Sequence, residues 1–165
     1  METLFPGLRA MHNLHPLFVH FPIALFMTAF VVQAIVVLGR REPWQPFASG
    51  LLYLDALSAL PTAFTGLLAE AKAEKLAGFT PAMGTALDFH STVMYIVTGL
   101  AVVLAAIALW KRARLGRGVA GILLVGLLAL VVLMGVGADR GGQLVYQYGV
   151  GGQEMRAEVP RPPGP

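Results

Sequence analysis

Four long apolar stretches are the feature that most restricts how this chain can fold. They cover residues 17–38, 47–69, 89–110 and 119–138. A helix needs roughly 20 mostly apolar residues to cross a bilayer, and each stretch meets that length. Asp55, in the second stretch, is the one charged residue near a centre. The pattern predicts an all-α bundle of four transmembrane helices.

The composition excludes most water-soluble classes of protein. Charged residues make up 13% of the chain, against about 25% in an ordinary soluble domain. The chain has no cysteine, which excludes disulfide frameworks, thiolate metal sites, iron–sulfur clusters and cysteine nucleophiles. Its net charge of +3 comes from basic residues clustered between apolar runs. That distribution indicates membrane topology and argues against a nucleic-acid partner.

The basic clusters also predict an orientation. Two short loops between spans carry six basic residues, namely Arg40, Arg41, Lys111, Arg112, Arg114 and Arg117. Short loops rich in Lys and Arg stay in the cytoplasm. We therefore expect a multi-pass protein of the cell (inner) membrane with both termini on the outer side. Residues 1–140 are interpreted as the membrane domain. Residues 141–165 are interpreted as a Gly- and Pro-rich tail on the outer side.

The four histidines all fall on the predicted outer side, at positions 12, 15, 20 and 90. His20 and His90 lie near the starts of two spans that run in the same direction, so they can share a ligand at similar depth. An ionisable residue inside a membrane is a site hypothesis by default. His15 and His20 diverge by about 140° on a regular helix, but His15 at the helix cap can lean back towards the site. The plain alternative is that these imidazoles meet lipid headgroups or bond backbone carbonyls.

Two segments carry a family resemblance. Residues 14–25 read LHPLFVHFPIAL, and residues 141–151 read GGQLVYQYGVG. The first resembles the HPLxVHFPIAL pattern of the DUF2231 family, small multi-span bacterial and archaeal membrane proteins of unassigned function. The second is similar to that family's GGxLVYxxGVGV segment, and His90 matches its histidine at the start of the third helix. The resemblance implies a four-helix membrane bundle, and the cytochrome c-like domains joined to some members favour redox chemistry.

The first functional hypothesis is a b-type haem. Axial histidines hold haem iron, and helix bundles build cofactor sites from side chains on facing helices. His20 and His90 are the expected axial ligands, with His15 as a supporting or alternative ligand and Arg140 beside the propionates. The chain would then carry electrons, to a cytochrome c-like or respiratory-complex partner, and would be a binding or electron-transfer protein rather than an enzyme.

Three alternatives stay open. His15, His20 and His90 would suit a mononuclear site for Cu, Zn or Fe, with Met94 as a soft copper ligand. The chain could instead be an accessory structural subunit of a respiratory complex. Oligomer formation is compatible with each of these functions. Asp55 is expected to pair with Tyr53, Ser58 or a backbone carbonyl, and a role in a proton path is a further hypothesis.

Overall fold

The computed structural model describes residue 4 and residues 13–76, 78–112 and 115–150. Four long helices account for most of this part of the chain. They are α1 (His15–Leu38), α2 (Gln45–Ala73), α3 (Pro81–Trp110) and α4 (Arg117–Tyr146), and a 3-10 turn at Glu42–Trp44 precedes α2. The described residues form no strand. All four helices are long and apolar enough to cross a membrane, which confirms the predicted all-α, four-span fold class.

Local sequence signals explain where α3 begins. Pro81 opens the helix, where its missing N–H costs no hydrogen bond and its fixed φ suits the helix. The Thr80 hydroxyl accepts a hydrogen bond from the Met83 backbone N–H at 3.3 Å, a standard N-cap contact. Gly78 has a φ of +93°, a turn conformation that side chains with a Cβ disfavour. The helix therefore starts well before residue 89, where the hydrophobic stretch begins.

The last helix is longer than predicted. It continues to Tyr146, so residues 141–146 are helical, whereas the sequence predicted a tail from residue 141. The chain then turns back, and the Val150 backbone N–H donates to the Leu144 carbonyl at 2.8 Å. Tyr148 and Val150 pack on a small buried cluster that includes Leu144 and Ala73. The rest of the predicted tail lies outside the described residues.

The helices form a ring in which each packs against two neighbours: α1 on α2, α2 on α3, α3 on α4, and α4 on α1. Short connections make successive helices run in opposite directions. The main core is built from all four helices, and its most buried members include Phe26, Ala29, Leu52, Ala101, Leu123 and Leu130. The outward faces carry large exposed apolar side chains, among them Phe21, Val31, Leu57, Phe64, Val103 and Val125. A surface of this kind suits a lipid environment and would be a liability in water.

The bundle has two chemically different ends. At one end, here called the histidine end, α1 and α3 begin and α2 and α4 finish. At the opposite end, here called the loop end, the basic connections lie. A buried polar cluster sits near the loop end, where the Gln33 side-chain amide donates to the Ala120 carbonyl at 2.9 Å. Gln45 completes this cluster by donating to Gln33 at 3.1 Å and to Ser49 at 3.4 Å.

Candidate cofactor site

A cavity of about 370 Å³ opens at the histidine end of the bundle, and all four helices line it. Small-molecule and cofactor pockets are typically of about 300–1,000 Å³, mostly apolar with a few polar groups. The wall is mostly apolar, and its floor includes Phe26 and Ala59. Two of its polar groups are the imidazoles of His15 and His90. The cavity therefore has the size and lining of a ligand site.

His15 enters the cavity from the first turn of α1. Its backbone N–H donates to the Asn13 side-chain oxygen at 3.1 Å, which ties down the start of the helix. Its ring Nδ1 lies 3.4 Å from the Thr65 hydroxyl on α2. The ring rests against Gly66, where an added Cβ would lie only 3.2 Å from the His15 Cε1. Because Gly66 has no side chain, the imidazole of His15 has room at this position.

His90 enters the cavity from α3 in a matching way. Its Nδ1 lies 2.7 Å from the Gly137 carbonyl oxygen on α4. A carbonyl can only accept a hydrogen bond, so Nδ1 must carry a proton and donate it. The ring rests against Gly141, where an added Cβ would lie 3.0 Å from the His90 Cε1. The His90 imidazole thus packs against a glycine of the neighbouring helix, as the His15 imidazole does.

The two imidazoles share one arrangement of their ring nitrogens. In each, Nδ1 faces a hydrogen-bonding group on the next helix, and Nε2 has no hydrogen-bond partner among the described residues. Histidines that bind metals characteristically have the second ring nitrogen held by a hydrogen bond, which fixes the orientation of the ring. His15 and His90 line the same cavity. Together they form a pair of imidazoles whose rings are held in fixed orientations at one cavity.

His20 is the predicted ligand that the structure places elsewhere. Its side chain is exposed and does not line the cavity. The reason is helical geometry: α1 is helical from His15 onward, so a side chain five residues later points about 140° away. The structure therefore brings His15, rather than His20, together with His90.

Arg140 is exposed and is not part of the cavity wall. Its Nη1 donates to the Gln143 side-chain oxygen at 2.8 Å, and its guanidinium carbon lies 5.4 Å from the centre of the Phe89 ring. Phe89 and Arg140 are next to His90 and Gly141 in the sequence, so this cation lies at the histidine end of the bundle. His12, the remaining histidine, lies outside the described residues.

A third polar group in the cavity is one that sequence reasoning missed. Glu70 lines the cavity wall, together with Ser91 and Tyr95. The Ser91 hydroxyl donates to the Glu70 carboxylate at 2.9 Å, and Tyr95 lines the same part of the cavity. The sequence alone predicts that Glu70 lies on the solvent-facing side of a helical extension of the second span. The available signal was its spacing of four residues from Gly66, which puts both on one face of α2.

Met94 also lines the cavity, one turn after His90. Its methyl group fills the space in front of Gly137, where a Cβ would collide with it. Among the described residues, no group of three or more His, Cys, Asp or Glu side chains is close enough to hold a metal ion. A three-histidine metal centre is therefore not assembled in this part of the chain.

The sequence model of one protein family, described as "Predicted membrane protein (DUF2231)", matches residues 11–154. The match covers all four helices and the whole cavity wall. No curated protein matches the chain. No solved structure matches it.

Proposed function

The chain belongs to the DUF2231 family of predicted membrane proteins, and from that premise we propose that it binds a b-type haem and carries electrons. The haem would lie in the cavity at the histidine end, with His15 and His90 as its axial ligands. By the distribution of basic residues this end is the outer one, so the site would lie near the outer face of the cell membrane.

One observation carries the proposal: two imidazoles from different helices line one apolar cavity, each with Nδ1 beside a fixed partner and Nε2 unengaged. This is the arrangement in which a histidine presents Nε2 to iron. His15 and His90 belong to α1 and α3, which do not adjoin in the ring of helices. Ligands that approach from two separate helices suit a flat ring held between them.

The cavity wall favours a macrocycle over a bare metal ion. A bare Zn or Cu ion usually takes three or more protein ligands, and the described residues bring together no three His, Cys, Asp or Glu side chains that could hold one. The wall is largely apolar, which suits the faces of a porphyrin. When bound, the haem would supply one-electron chemistry. The chain would supply the axial nitrogens, the dry walls, and one carboxylate, Glu70, close to the ring.

A mononuclear copper site remains the second candidate, because Met94 lines the same cavity as both histidines. A thioether and two imidazoles are suitable ligands for copper. Elemental analysis of the purified protein separates the two candidates, since only haem brings both iron and an intense Soret band.

The deciding experiment is an absorbance spectrum of the detergent-purified chain, oxidised and then reduced with dithionite, after expression with ample haem. A Soret band with sharp α and β bands in the reduced state is expected for the wild type. His15→Ala and His90→Ala should each lose most of the bound haem or change its low-spin spectrum. His20→Ala is the matched control, and it should keep the wild-type spectrum because His20 is exposed and outside the cavity.

A protein that stays colourless under haem supply would refute the proposal. If His20→Ala lost haem while His15→Ala kept it, haem binding would stand but the ligand pair would be wrong. A cytochrome c-like protein or a respiratory complex is the electron partner to test once the spectrum has been recorded.

A further inference from the structure

Asp55 is the most unusual polar residue of the bundle interior. It lies in the first half of α2, its relative exposure is 0%, and neither carboxylate oxygen has a hydrogen-bond partner among the described residues. The pairing expected with Ser58 does not occur through the carboxylate, because the Ser58 hydroxyl donates to the Asp55 backbone carbonyl at 2.9 Å. Buried polar groups in proteins are nearly always hydrogen-bonded, so this one needs an explanation.

The surrounding helices carry no charged side chain at the depth of Asp55. Residues 21–38 of α1, 96–110 of α3 and 118–138 of α4 contain no Asp, Glu, Lys, Arg or His. The nearest titratable side chains along the helices are Tyr53 on α2, Tyr95 on α3 and His20 on α1. An ion buried without a partner is very costly in a low-dielectric interior. The carboxyl group therefore needs a proton whenever no other cation reaches it.

The position of Asp55 connects two polar regions of the bundle. Ala59, on the cavity floor, is four residues further along α2, which is one helical turn or about 6 Å. Ser49, in the buried cluster with Gln45 and Gln33, is six residues back, or about 9 Å along the axis. Asp55 thus lies between the cavity and the polar cluster near the loop end, in an otherwise apolar stretch.

We propose that Asp55 is a proton-binding site inside the membrane that exchanges its proton with the loop end and can deliver it to the floor of the cavity. A proton then moves on and off a single carboxyl oxygen, and no electron transfer is required. Transmembrane carboxyl groups commonly mark proton pathways. The inference does not depend on which group the cavity holds.

The test is infrared spectroscopy of the full chain in liposomes, in H₂O and after transfer to D₂O. The wild type should show a carbonyl band of a protonated carboxylic acid that is lost in Asp55→Asn and that shifts in D₂O. Glu74→Gln is the matched control: it removes one exposed acid at the end of the same helix and should keep the band. If Asp55→Asn fails to insert, ¹³C-aspartate labelling of the wild type assigns the band, because the only other aspartates, Asp88 and Asp139, are exposed.

A second variant tests the route. Ser49→Ala should slow the D₂O shift, since it removes the hydroxyl nearest to Asp55 in the polar cluster. Thr28→Ala, which removes an exposed hydroxyl of α1, should leave the rate unchanged. Absence of the acid band, its loss on adding Na⁺, or a band that never shifts in D₂O would overturn the proton site. A wild-type exchange rate in Ser49→Ala would overturn the link to the loop end.

Discussion

His90 donates a hydrogen bond from Nδ1 to the backbone carbonyl of Gly137 across the α3–α4 contact, with 2.7 Å between the two atoms. Gly137 is one turn before Gly141, whose backbone supports the same imidazole ring. One stretch of α4 therefore fixes both the tautomer of His90 and the position of its ring. This leaves Nε2 as the nitrogen available to a ligand in the cavity, which is the basis of the first prediction.

Replacing Gly141 with Ala should weaken cofactor binding without removing a ligand. The new Cβ would lie 3.0 Å from the His90 Cε1, so the ring must shift by a few tenths of an ångström. Changes to groups that orient a metal ligand typically cost about 10–100-fold in affinity, and we expect about tenfold here. Haem titration of the apoprotein measures this affinity. Gly135→Ala is the matched control, since an added Cβ meets nothing there within 4 Å. Equal losses of haem affinity in the two variants would contradict the packing of His90 against Gly141 as the cause.

Glu70→Gln should raise the reduction potential of a haem in the cavity. A nearby negative charge stabilises the oxidised iron, which carries one more positive charge than the reduced iron, so its removal favours reduction. At an effective dielectric constant near 20, two unit charges roughly 8–16 Å apart interact by about 1–2 kcal/mol, which sets the size of the expected shift. A spectroelectrochemical titration gives the potential. Glu74→Gln, one turn further and exposed, should shift it less, and a lower potential in Glu70→Gln would contradict the assignment.

The buried amide pair near the loop end should behave as a coupled unit. Gln45 donates to Gln33 at 3.1 Å, so Gln33→Leu leaves a buried amide partly unsatisfied and should cost about 1–2 kcal/mol of stability. The double variant Gln33→Leu/Gln45→Leu should cost less than the sum of the single variants, because both partners are then apolar. Reversible unfolding in mixed detergent micelles measures each free energy. Strict additivity would show that the contact contributes nothing.

The orientation of the bundle can be read with single cysteines, because the natural chain has none. Lys75→Cys lies at the histidine end and Arg41→Cys at the loop end, and both positions are exposed. A membrane-impermeant maleimide added to spheroplasts should label Lys75→Cys and spare Arg41→Cys until the membrane is opened. The reverse pattern would place the cavity on the cytoplasmic side and would contradict the orientation derived from the basic loops.

The sequence predicted the number and the approximate position of the helices, because the length and apolarity of a spanning segment are local properties. It predicted helix ends less well. The α3 start at Pro81 is decided by the Thr80 cap, and the α4 end at Tyr146 lies beyond the hydrophobic stretch, because the glycines at 141 and 142 stay helical. Hydropathy does not predict helix ends of this kind, because they depend on capping contacts and on residues outside the apolar stretch.

What the sequence by itself determined is that the chain forms four apolar helices with the histidines His15, His20 and His90 gathered at one end. The tertiary structure decided which of these meet. The rotation of α1 about its axis turns His15 inward and His20 outward, and the α2–α3 contact brings Ser91 to Glu70. These contacts depend on the packing angle and the register between helices. A segment that is apolar on all sides does not reveal which of its faces will be buried, so the sequence does not predict them.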